Sequence, residues 1–73
     1  MGHQLKLRSG AEVVKKLRRA GWHADRQVGS HLMMVKPDYP YTLSIPQHRE
    51  LGIGILKKIV KQSGLTADEF NDL

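Results

Sequence analysis

The stretch VGSHLMMVKPDYPYTLSIP, Val28 to Pro46, decides the fold. Two apolar runs lie in it, and each follows a turn signal. Gly29-Ser30 makes the first connection short, because glycine reaches positive φ without steric cost. KPDYPY makes the second, and its two prolines bar a continued ladder. Tyr41 to Ile45 alternates, with Leu43 and Ile45 on one face and Thr42 and Ser44 on the other. The run from His31 to Lys36 is too continuously apolar for its parity to be read. Upstream, residues 22–28 form a further strand, with Trp22, Ala24 and Val28 on one parity. Short connections between consecutive strands imply a three-stranded antiparallel meander.

Helices flank this meander. Ser9 and Glu12 form a capping box, in which each side chain satisfies the other's orphan amide. Val13, Val14, Leu17 and Ala20 follow as an apolar stripe, with Lys15, Lys16, Arg18 and Arg19 on the opposite side. Gly21 is the stop, and Trp22 closes back on Leu17. After Pro46, QHRELGIG is a loop whose Gly52–Gly54 segment enters the next helix. That helix runs from about Ile55 to Ser63. It presents Ile55, Leu56, Ile59 and Val60 on one face and Lys57, Lys58 and Lys61 on the other. Gly64 stops it. Thr66 with Glu69 opens a short terminal helix anchored by Phe70. The fold class is therefore α+β: a three-stranded antiparallel sheet with two helices on one face, plus a short C-terminal helix. The other sheet face stays in water.

The chain has 73 residues, so the expectation is one domain over residues 1–73, with residues 1–8 set aside as a tail. Cysteine is absent, which removes disulfides and thiolate metal sites and fits a reducing cytoplasm. No apolar run reaches membrane-spanning length, and the N-terminus lacks a signal-peptide core. The net charge is +5 and sits wholly in residues 1–21, where Lys6, Arg8, Lys15, Lys16, Arg18 and Arg19 face a single acid, Glu12. Charge gathered on one helix suits a polyanion partner, and it also suits an ordinary solvated face.

Four histidines are present: His3, His23, His31 and His48. None forms a His-x-x-x-His pair, so no metal site is called. Ser30 and His31 are strand neighbours on opposite faces, which argues against a nucleophilic serine. What remains is proton transfer by imidazole, which titrates near neutral pH. RNA carries its own nucleophile in the ribose 2′-hydroxyl, so a histidine and nearby cations suffice for cleavage without a metal. Pattern alone leaves His31 open between such a role and an ordinary packed or surface histidine.

Four stretches carry a resemblance that narrows this choice: SGAEVVKKLRRAGW (9–22), RQVGSHLMM (26–34), LSIPQH (43–48) and GILKKIVKQSGLTADEF (54–70). Together and in this order they resemble the HicA family of bacterial and archaeal toxins, small ribonucleases that cut messenger RNA. The resemblance implies the double-stranded-RNA-binding type of fold, α-β-β-β-α, in agreement with the periodicity. It implies that His31, in the family's Gly-Ser-His signature, is catalytic, with Gly29 and Ser30 shaping the supporting turn. It implies a HicB-like antitoxin that covers the active site, and no cofactor. Two positions depart from the pattern. Leu32 stands where many members have a second histidine or another polar residue, and Ile55 stands where a threonine commonly follows the helix-entry glycine. With RNA as substrate, Lys15, Lys16, Arg18, Arg19, Lys36 and Arg49 become the candidate phosphate contacts, and His48 the candidate second proton donor. Trp22 is read as core or cap in preference to a base-stacking surface. The rival reading is a non-catalytic RNA-binding module of the same fold, which would bind RNA without cutting it.

Overall fold

The Ser9 hydroxyl accepts the Glu12 amide at 3.1 Å and the Glu12 carboxylate accepts the Ser9 amide at 3.3 Å, which opens helix α1 (Gly10–Arg19) as the capping box requires. These distances come from a computed structural model that describes Leu5 and residues 8–73. Helix α1 closes in a Schellman turn. Gly21 takes the left-handed position at φ 98°, while Trp22 N–H donates to the Leu17 carbonyl at 2.9 Å and Gly21 N–H to that of Arg18 at 3.1 Å.

Strands β1 (His23–Val28), β2 (His31–Val35) and β3 (Leu43–Pro46) follow, then helices α2 (Ile53–Ser63) and α3 (Ala67–Asn71). The sheet is antiparallel in the order β1-β2-β3, so the α+β class and the α-β-β-β-α order are as expected. Register answers the parity question in β2. Leu32 pairs with Ile45 and Met34 with Leu43, and Met34, Leu43 and Ile45 are fully buried. His31, Met33 and Val35 therefore lie on the outer face. The seven-residue connection from Lys36 to Thr42 begins with a turn in which Tyr39 N–H donates to the Lys36 carbonyl at 3.1 Å. Asp38 takes the left-handed position there at φ 63°.

Helices α1 and α2 cover the inner face. Val13, Leu17, Trp22, Leu51, Leu56 and Phe70 close the core with the buried strand residues, each contributing on the order of 1.5–3 kcal/mol by removal from water. Phe70 anchors α3 as expected, and Thr66 with Glu69 forms its capping box. Gly10 gives α1 its seat. A Cβ at that position would overlap the Pro46 carbonyl oxygen, so the helix N-terminus packs directly on the end of β3.

Four readings differ. In β1, Ala24 pairs with Met34 but Arg26 with Met33, so Asp25 is an extra residue in a bulge. The bulge reverses parity, and Val28 faces outward with 55% exposure instead of sharing a face with Ala24. Helix α2 starts at Ile53 with Gly52 as its N-cap, and Ile55 is exposed outside the buried face of Leu56, Ile59 and Val60. Arg8, grouped with the tail, forms a bridge with Leu51, donates to Asn71 Oδ1 at 3.2 Å and lies over the Phe70 ring.

Lys16 is the fourth correction: it is buried, and does not share the solvent face of Lys15, Arg18 and Arg19. Its Nζ donates to the main-chain oxygens of Phe70, Asn71 and Leu73 at 3.2, 3.2 and 2.8 Å. The physical reason is its place on the helix. Lys16 is one turn from both Val13 and Ala20, on the border of the stripe, and the α3 segment packs over that border.

Candidate active site

His31 begins β2 immediately after the tightest turn in the sheet. Val28 pairs with His31 across Gly29 and Ser30, and of these two residues only Gly29 has positive φ, at 60°. That is the two-residue type II′ pattern, whose twist matches the flanking strands. On its other side His31 pairs with Pro46, and Gln47 N–H donates to the Ser30 carbonyl at 2.7 Å. The main chain at His31 is thus held on both edges by its neighbours.

The imidazole itself is exposed on the outer sheet face. Its Nδ1 lies 2.8 Å from Ser44 Oγ. Ser44 stands two residues before Pro46 on β3, so it is the diagonal neighbour of His31 on the same face and within reach of a ring. A hydroxyl both donates and accepts, so Ser44 can pair with the neutral ring and with the imidazolium. The arrangement offers an accessible proton-transfer group on a fixed backbone. The alternation in the sequence put Ser44 on the face opposite Leu43 and Ile45 and gave it no role. The signal lay in the pairing of β2 with β3, which alternation alone does not show.

The fold brings only some of the other candidates to this end of the sheet. Gly29 and Ser30 form the exposed turn. His48 and Arg49 are exposed in the segment just after Pro46, and Gly10 N–H donates to the His48 carbonyl at 2.9 Å. Lys36 lies at the other end of β2, about 17 Å along the strand from His31. Its ammonium sits 5.9 Å from the centre of the Tyr39 ring. Lys15, Arg18 and Arg19 are exposed on α1, which covers the sheet face opposite His31. Lys16 is occupied in the interior, where burial foremost, and then Arg8 and Arg19, lower its pKa below the usual lysine value. Trp22 is fully buried and meets Tyr39 edge-on at 5.2 Å, so it is a core residue. His23 is exposed on β1, and His3 lies outside the described residues. Among the described residues, no three His, Cys, Asp or Glu side chains are grouped to hold a metal ion, and no helix is long and apolar enough to cross a membrane.

A family model for the HicA toxin of bacterial toxin-antitoxin matches residues 10–65, from the start of α1 to just past α2. The chain belongs to the HicA toxin family. It is accordingly the toxin of a toxin–antitoxin partnership, and the match spans the whole sheet together with His31 and Ser44. No curated protein matches the chain.

Proposed function

We propose that this HicA toxin is a metal-independent endoribonuclease that cuts messenger RNA, with His31 as the group that moves the proton. One observation carries the reading: an exposed imidazole stands on the outer sheet face, on a backbone that neighbouring strands hold on both sides. In the reaction His31 takes the proton of a ribose 2′-hydroxyl. The 2′-oxygen bonds to the adjacent phosphorus as the bond from phosphorus to the 5′-oxygen breaks. That leaving oxygen takes up a proton, and the products are a 2′,3′-cyclic phosphate and a 5′-hydroxyl. His48, exposed in the segment after Pro46, is the candidate donor for the leaving oxygen.

Gly29 and Ser30 shape the turn that presents His31. Arg49 is the cation in the same segment as His48, and Lys15, Arg18 and Arg19, on the helix behind the sheet, form a track for the phosphate backbone away from the cut. Lys16 leaves this set, because its ammonium is committed to main-chain oxygens. Lys36 belongs to the far end of the sheet and contacts RNA only away from the cut. A HicB-like antitoxin silences the toxin by covering the outer face. The cytoplasm, where messenger RNA is found, is the place of action.

The test is incubation of the purified protein with RNA in EDTA. Strand scission is expected. His31→Ala should abolish it while the thermal midpoint stays that of the wild type. RNA binding without scission by the wild type would make the chain a binding module of the same fold.

A further inference from the structure

The ring of His31 has two nitrogens, and among the described residues one of them has a partner. Nδ1 is 2.8 Å from Ser44 Oγ, and both side chains are exposed. A hydrogen bond between exposed groups adds little to stability, since water satisfies each partner when they part. Its effect is on direction. The main chain at His31 is already held by Val28, Pro46 and the bond from Gln47 to Ser30, which leaves the side-chain torsions as the free variables. The contact with Ser44 favours one ring orientation, in which Nε2 has no partner among the described residues.

We propose that Ser44 is a positioning residue for His31: its oxygen accepts from Nδ1–H and so leaves Nε2 bare to take the ribose proton. This rests on the ribonuclease reading and specifies the nitrogen that acts. The sense of the bond follows from counting protons. Once Nε2 has gained a proton, the imidazolium carries N–H on both nitrogens, and Ser44 Oγ can only accept. A neutral ring that already donates from Nδ1 passes through the step with its partner unmoved. The hydroxyl hydrogen of Ser44 is free for water, because the residue is exposed. Which ring nitrogen holds the proton is set by the bond that the other makes.

The core enforces this placement from a distance. Leu32 with Ile45 and Met34 with Leu43 fix the register, and a slip of one residue would turn Ser44 into the interior. The same apolar pairs that close the sheet on its inner face therefore aim an imidazole on its outer face.

Two measurements on the full chain test the proposal. Nitrogen–proton NMR of the neutral imidazole should show the Nδ1–H form in the wild type and in Ser44→Thr. In Ser44→Ala the Nε2–H form should take over. In RNA cleavage, Ser44→Ala should lower kcat about 10-fold with KM unchanged, and Ser44→Thr should keep most of the rate. A Ser44→Ala protein with the wild-type tautomer and the wild-type kcat overturns the proposal. Undiminished cleavage by His31→Ala overturns the ribonuclease reading instead, and the NMR arm still decides whether Ser44 holds the ring.

Discussion

The ammonium of Lys16 lies 2.8 Å from the main-chain oxygen of Leu73, 57 residues further along the sequence. With its two companion bonds to Phe70 and Asn71 it ties the first helix to the last, and it passes 5.5 Å from the Phe70 ring centre. A side chain that reads as part of a basic surface is thus a clamp between elements. Lys15, Arg18 and Arg19 on the same helix are exposed, so the helix divides its cations between interior and surface.

Lys16→Met keeps the packing of the stem and removes the donor. The main-chain oxygens it serves lose a charged partner, at a cost of about 1–3 kcal/mol. The urea midpoint should fall accordingly, while the salt dependence of RNA binding stays that of the wild type. Lys15→Ala and Arg18→Ala should do the reverse. Each should leave stability within about 0.5 kcal/mol and reduce the log–log salt slope of RNA binding by about one. A Lys16→Met protein of wild-type stability and weakened RNA binding would return Lys16 to the RNA track.

Burial lowers the Lys16 pKa below the usual 10.5, and Arg8 and Arg19 add to it against Glu12 and Asp72. The unfolded chain therefore holds this proton more tightly than the fold does. By linkage, the Lys16 contribution to stability is constant below the folded pKa and rises as pH climbs from there toward 10.5. The stability gap between wild type and Lys16→Met, followed by urea melts from neutral pH upward, should widen across that window. A constant gap would mean that the group titrates alike in both states.

Gly10 and Gly54 should respond oppositely to alanine. At Gly10 the new methyl meets the Pro46 carbonyl, main chain that cannot turn aside, and at least about 2 kcal/mol should be lost. At Gly54, inside α2, nothing lies within 4 Å of the added carbon. Helix propensity then favours alanine by about 0.5–1 kcal/mol. Thermal melts of the two variants measure both.

Trp22 is the one tryptophan of the chain, and its ring is fully buried against Tyr39. Titration with RNA should leave its emission maximum unchanged, whereas unfolding in urea should shift it to the red. A shift on adding RNA would show that the ring reaches the ligand.

The elements legible in advance were those written in contacts of three or four residues. Both capping boxes, the Schellman stop at Gly21, the left-handed Gly64 and the Gly29-Ser30 turn all stand where local chemistry puts them. The shared face of Leu43 and Ile45 was legible for the same reason, and both are buried. His31 drew notice through its short motif, and the fold places it on an exposed face. The bulge at Asp25 was not legible, because an extra residue shows only against the strand beside it.

By itself, then, the sequence determined the kind and order of the elements, because caps, turns and apolar periods act over a few residues. Only the tertiary structure decided that Lys16 turns inward, that Val28 turns out, that Lys36 stands a strand's length from His31, and that Ser44 meets its ring. Each of these depends on pairing or packing between segments far apart in the chain, and that geometry exists only once the core has closed.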